Sequence, residues 1–240
     1  MFYHQAQDGS VRTAISDRHG GVSQGGHASL NLGRHVGDDP AAVAENRRRL
    51  AEALGVGADQ VVYMDQCHSS EVAVVDAGAV ASPPRVDAMI TDEPGLALAV
   101  MVADCTPVLL WDRSGPLVAA AHAGRPGMAG GIVPATVARM RSLGARDLRA
   151  LVGPSVCGRC YEVPEAMREE AAALVPEART VSWTGTPALD VAAGVVAQLA
   201  REGVEPAWVA GCSREHPDLF SYRVDQGAGR FVGTIVRGAR

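Results

Sequence analysis

Apolar residues recur along this chain with two different spacings. Between residues 60 and 123 they come in short dense runs, 60–64, 71–75, 86–91, 96–103, 107–112 and 117–123, several of them separated by Gly or Pro, which predicts buried strands. Before that stretch the spacing is helical: Val43, Leu50 and Leu54 share one face over 40–55, Asp39 is placed to cap the helix, Pro40 takes its first position and Gly55 stops it. Further helices are predicted over 132–145, 164–175 and 187–203, with strands at 148–153, 208–210 and 230–236. Because the strands cluster in the middle of the chain and do not alternate with helices, an α+β layered sandwich is expected over a doubly wound fold. Residues 17–40, dense in Gly, Ser, Asn and His, read as a long ordered loop, a feature that in compact domains tends to be functional.

The apolar run from 96 to 112 is broken by Asp104 and Cys105, and two other predicted strands finish at His68 and His122. Strand ends are where α/β sites commonly form, so these side chains meet if their strands share a sheet with two of them parallel to the third. Two imidazoles and a thiolate are a borderline-soft set suited to Zn²⁺, and three protein ligands leave a fourth position for water. Asp104 would then orient a ligand or take a proton. The same convergence without a metal makes Cys105 a nucleophile with His68 or His122 as its base. The plain alternative is a buried cysteine acting as a small hydrophobe beside hydrogen-bonded histidines.

Composition narrows the chemistry. The chain has 240 residues, 47% of them hydrophobic, enough for a core, and is read as a single domain over 1–240. A net charge of −5 with no basic run excludes polymeric nucleic acid as a partner. All 22 basic residues are arginine, which removes Schiff-base catalysis, lysine-anchored pyridoxal phosphate and a P-loop lysine. The glycine-rich stretches GGVSQGG and AGRPGMAGG lack the G-x-G-x-x-G pattern, although the second lies between a strand and a helix where backbone N–H groups meet anions. No leader pattern and no apolar run of membrane-spanning length appear, so a cytoplasmic protein without membrane insertion is expected. Five cysteines, an odd number, argue against a disulfide framework there. Cys157 and Cys160 form one C-x-x-C with no thioredoxin-like βαβ around it, leaving structural packing as their reading. Arg48, in a run of three arginines, and Glu162, Arg223 and Arg230 are polar-site candidates whose default reading is a solvated charge or ion pair.

The segments SLNLGRHVGDDPAAVAENRRRL, MDQCH, DAMITDEPGLALAVMVADCTPVLLWD, AAAHAG, GPSVCGRCYEV and LFSYRVDQGAGRFVGTIV, in this order, resemble the laccase-domain family, whose members are called polyphenol oxidases, zinc-dependent purine nucleoside phosphorylases or peptidoglycan editing factors. The resemblance implies a four-layer α/β/β/α sandwich with mixed sheets, a monomer or small homo-oligomer, and a metal held by His68, Cys105 and His122, with Zn²⁺ preferred to copper. It implies phosphorolysis of adenosine, inosine and methylthioadenosine with accompanying adenosine deamination, nucleoside and phosphate being the partners. Catalytic roles then fall to Cys105, Asp104, His68 and His122, and substrate contacts to Asn31, Arg48, Arg125, Glu162 and Arg223. The chain departs from the family pattern at Gln66-Cys67-His68-Ser69, where Q-V-H-G is common, and at Arg125-Pro126-Gly127, where Trp-Arg-Gly is common, so that Arg125 is the candidate for the displaced anion-binding arginine. Multicopper chemistry needs many imidazoles in H-x-H pairs; the chain has 7 histidines and no such pair. Two rivals remain: an amidase removing L-Ser from a UDP-muramyl precursor, and a non-catalytic cell-division or envelope-associated binding protein.

Overall fold

The N-terminal residues form a hairpin that the apolar pattern does not announce. Phe2–Asp8 (β1) and Val11–Ser16 (β2) pair antiparallel around Gly9, whose φ of +57° suits glycine. Only β2 is deeply buried; β1 is half-exposed, so it carries no apolar alternation to read. The computed structural model describes residues 1–238. Helix α1 spans Pro40–Leu54 as expected, its first turn closed by the Asp39 carboxylate, which accepts from Ala41 N, and its end marked by left-handed Gly55. The chain continues through β3 (Val61–Tyr63), β4 (Val72–Val74), β5 (Ala88–Thr91), β6 (Ala97–Val102), β7 (Thr106–Asp112) and β8 (Val118–Ala123). Short α2 (Arg125–Ala129) leads into α3 (Ile132–Ser142) and β9 (Leu148–Val152), followed by α4 (Glu165–Leu174), β10 (Arg179–Val181), β11 (Pro187–Leu189), α5 (Val191–Arg201), β12 (Pro206–Trp208) and β13 (Phe231–Arg237).

The architecture is mixed α/β with two mixed sheets. One has the order β1-β2-β13-β6-β3, and in it β3 runs parallel to β6 while β13 is antiparallel to both its neighbours. The other has the order β12-β9-β7-β8-β5-β4, with parallel pairs at its two ends. Three apolar clusters hold these parts together. Leu50, Ala51 and Leu54 of α1 pack on Ala97, Ala99 and Val232 of the first sheet. Ile15, Leu98 and Val100 of that sheet meet Leu109, Val118 and Ala120 of the second. The far face of the second sheet, including Val108, Leu110 and Ala119, is covered by Met128, Val133, Val137, Val195 and Leu199. Each of these side chains, when fully buried, contributes about 1.5–3 kcal/mol for a leucine-sized group, so the sites at the sheet ends rest on a rigid frame.

Two boundaries shift from the sequence expectation. Residues 187–203 divide into strand β11 and helix α5, because Asp190 turns its carboxylate onto Ala193 N and starts the helix there. The strand expected at 208–210 lies at Pro206–Trp208, pairing with β9. Among the described residues no helix is long and apolar enough to cross a membrane.

Candidate active site

His68, Cys105 and His122 come together, by a route other than a shared sheet. β3 and β6 belong to the first sheet and β8 to the second, so the three side chains gather where β6 leaves one sheet and β7 enters the other. That crossing is sharp: Asp104 adopts φ +89°, a conformation L-residues rarely hold, and His68 sits at φ +60°. Asp104 is held there by both carboxylate oxygens, one accepting from Ser213 Oγ at 2.7 Å and the other from Arg223 N at 2.8 Å. Its geometry therefore fits the orienting role more closely than proton transfer. Cys105 Sγ lies 3.9 Å from His68 Nε2, the two imidazoles stand edge to face with centroids 4.8 Å apart, and one ligand atom from each of the three residues lies within 4.8 Å of the others.

Buried Asp87 fixes the arrangement from behind. Its Oδ1 accepts from His122 Nδ1 at 2.8 Å, which leaves Nε2 as the nitrogen available to a ligand, and its Oδ2 accepts from Ser69 Oγ and from the backbone N–H groups of Cys67 and Ser69, on either side of His68. Cys67 and Ser69, where the chain departs from Q-V-H-G, thus both serve Asp87. Burial pushes this carboxyl up, but the His122 and Ser69 donors more than offset it, and it lies well below the usual carboxylate range. Burial likewise pushes the Cys105 thiol up, and His122 and His68 beside it bring it down to about 6; His122, pushed down by burial, is raised to about 9 by Cys105 and Asp87. Metal-stripped protein is accordingly expected to be alkylated at Cys105 with a pH midpoint near 6, slow below it where the thiol is protonated and fast above it. Peptide mapping after iodoacetamide treatment across pH checks this, with a midpoint near the free-thiol value of about 8.5 as the contrary result.

The donor set, its spacing and the carboxylate-held imidazole fit a single borderline-soft divalent ion. Gly124 closes the cradle. A Cβ there would stand 2.8 Å from His68 Cδ2 and 3.1 Å from Cys105 Sγ, so the imidazole lies against bare backbone. Gly124→Ala is expected to displace His68 and weaken metal binding about tenfold or more, comparable with the loss of an outer-shell partner, with little change in folding. Competition against a chromophoric chelator, read beside a thermal melt, measures both effects.

The trio opens onto a cavity of about 1040 Å³ lined by residues of both sheets and their loops. Of the substrate candidates, Glu162 and Arg223 line it; Glu162 Oε1 accepts from Thr184 Oγ1, and the Arg223 guanidinium stacks 4.3 Å from the Tyr161 ring. Asn31 lies beneath the wall: its Oδ1 accepts from Arg230 N, which positions Arg230 in the lining. Arg125 opens five-residue α2 near Tyr161, outside the lining set. Arg48 points away, paired with Glu45 and Glu52 on the exposed face of α1. The arginine of that run turned inward is Arg47, which donates to Leu32 O and stacks 3.7 Å over Tyr63. Sequence reasoning missed Asp87, Arg214, Tyr222 and His35, the last three of which line the cavity. A signal existed for Asp87, a carboxylate inside the apolar run 86–91, as Asp104 interrupts its own run.

Comparison with known proteins settles the family. The family model described as multi-copper polyphenol oxidoreductase laccase matches residues 12–238. The chain belongs to this laccase family. A protein named purine nucleoside phosphorylase in Streptomyces coelicolor is 55% identical over 225 residues, covering 92% of this chain and 93% of its own. One of the same name in Corynebacterium glutamicum is 46% identical over 230 residues, covering 94% of each. Among solved structures, YlmD from Geobacillus stearothermophilus superposes with a TM-score of 0.90 at 30% identity over 99% of each chain. A Neisseria meningitidis protein does so with a TM-score of 0.88 at 37% identity over 98% of this chain and 99% of its own. The plural copper in the laccase-family description does not suit this donor set, whose two imidazoles and one thiolate suffice for one ion.

Proposed function

We propose that this chain is a zinc-dependent purine nucleoside phosphorylase, with adenosine, inosine and methylthioadenosine as substrates and adenosine deamination as a side activity. The observation that carries the reading is the name shared by relatives 46–55% identical over nearly the whole chain, joined to a cavity that ends at the His68, Cys105 and His122 trio. The three core clusters support a four-layer α/β/β/α order within one domain.

In phosphorolysis a phosphate oxygen bonds to ribose C1′ as the C1′–N9 bond breaks and its electron pair leaves with the purine. Arg214, Arg223 and Arg230 line the cavity and supply the forked donors that a phosphate dianion needs. Tyr161 and Tyr222 offer ring faces for a base, each with a guanidinium nearby that orders the wall. Asp104 holds the turn that presents Cys105, and Asp87 holds the His122 imidazole and the backbone on either side of His68. A divalent ion bound by the trio supplies Lewis-acid polarisation of an oxygen or ring nitrogen.

The test is direct: purified protein with zinc is incubated with adenosine or inosine and inorganic phosphate, and with UDP-MurNAc-L-Ser. Phosphate-dependent release of free purine and ribose 1-phosphate is expected. Serine release from the muramyl precursor with no purine release would replace this reading by the amidase one, and neither activity would support a binding protein.

A further inference from the structure

Outside the trio, Cys212 is brought to Cys157 and Cys160, which lie 55 and 52 residues before it in the sequence. Cys157 and Cys212 each open a tight turn. Cys157 O accepts from Cys160 N at 2.9 Å and from Tyr161 N at 3.0 Å; Cys212 O accepts from Glu215 N at 3.1 Å and from His216 N at 2.8 Å. Each turn therefore presents a donor at its first and fourth positions, Cys157 with Cys160 and Cys212 with Glu215. The turns are docked on one another: Ser155 and Cys212 form a parallel bridge, Ser213 N donates to Ser155 O at 3.0 Å, and Cys157 N donates to Cys212 Sγ at 3.4 Å. One ligand atom from each of Cys157, Cys160, Cys212 and Glu215 lies within 4.8 Å of the other three. Cys160 is buried, while Glu215 reaches the site from the solvent side.

This geometry is near what tetrahedral coordination demands. Four donors about 2.3 Å from one ion stand roughly 3.7 Å apart, so a small inward movement of side chains completes the shell. Three sulfurs select a thiophilic ion and reject the hard oxygen-seeking ones. A full set of four protein donors leaves no open position, the mark of a structural rather than a catalytic ion.

We propose that Cys157, Cys160, Cys212 and Glu215 form a second metal site, which takes Zn²⁺ and clamps the Cys157–Cys160 turn to the Cys212–Glu215 turn. The clamp borders the cavity on its functional side. Tyr161 and Glu162 continue from Cys160, Arg214 lies between two ligands, and Ser213, adjoining Cys212, donates to Asp104 beside Cys105. Ion binding in the clamp thus holds the wall that positions Asp104, whatever reaction the cavity carries out.

In the full chain bearing Cys105→Ala, which removes a ligand of the first site, about one zinc equivalent is expected to remain after reconstitution and desalting. Co²⁺ in its place is expected to give intense near-ultraviolet thiolate-to-metal absorption, although this variant lacks the trio's only sulfur. Adding Cys160→Ser and Cys212→Ser should remove both the ion and the band, and Glu215→Gln alone should weaken binding while keeping the band. Should the multiple variant not fold, the wild-type chain gives the answer by alkylation: Cys157, Cys160 and Cys212 are expected to be protected until a chelator is added and then to react together. Equal labelling with and without chelator, a disulfide among the three cysteines in the protein as purified, or no zinc retained by Cys105→Ala overturns the proposal.

Discussion

Replacing Cys105 by alanine is expected to lower kcat/KM for phosphorolysis by ~10³-fold or more, because it removes the only sulfur of the trio and, with it, charge stabilisation worth several kcal/mol at about 1.4 kcal/mol per factor of ten. His122→Ala should do the same from the other side of the site, with an added stability cost, since it leaves Asp87 buried without its main partner. The two variants test different parts of the arrangement. Cys105 is half-buried at a turn and carries no packing load beyond its edge of the inter-sheet cluster, so Cys105→Ala should melt close to wild type. Steady-state rates at saturating zinc, with metal content measured on the same samples, make the check. A Cys105→Ala protein that retains full phosphorolysis would refute both the metal role and the nucleophile role of this residue, leaving the cavity to act without it.

The residues of this site were legible because they are the wrong chemical types for their places. A thiol and two imidazoles at the ends of apolar runs draw attention without any structure, and so does Asp104 in mid-run. The way they meet was not legible. Apolar alternation tells that 60–64 and 117–123 are strands but carries no information on which sheet each joins, and β3 and β8 proved to lie in different ones. The clamp cysteines illustrate a second limit. Cys157 and Cys160 advertise themselves as a pair, whereas Cys212 and Glu215 look like unrelated surface residues until the Ser155 bridge docks their turn. Arg47 and Arg48 illustrate a third: adjacent residues on a helix differ by about 100° of rotation, so one arginine stacks on Tyr63 while its neighbour pairs with Glu45 and Glu52 in solvent. Residue type located the chemistry, and only the register of elements could decide which side chain faces it.

Asp87→Asn is expected to reduce metal affinity about 10–100-fold, although Asp87 touches no ion. The carboxylate accepts from His122 Nδ1 through one oxygen and from Ser69 and Cys67 through the other, so a single group orients the His122 imidazole and holds the backbone on either side of His68. Asparagine keeps the shape but offers only one acceptor oxygen. Its amide nitrogen must face either His122 Nδ1–H or the donors around His68, and a buried donor left unpaired costs about 1–3 kcal/mol. Loss of the negative charge also lowers the basicity of His122 as a ligand. The acid side of the stability profile should change with it. Because Asp87 is depressed in the folded state, its stabilisation is fully present above the ordinary carboxylate range near pH 4 and is lost as pH falls below it, so the variant should show a shallower acid decline than the wild type. Chelator competition gives the affinity, and denaturant melts of the metal-free proteins between pH 3 and 7 give the profile. Saturating zinc should restore much of the rate in Asp87→Asn while restoring none in Cys105→Ala, a contrast that separates a residue acting through the imidazoles from one that holds the ion. Unchanged affinity with unchanged acid behaviour would mean that His122 is oriented by the sheet alone.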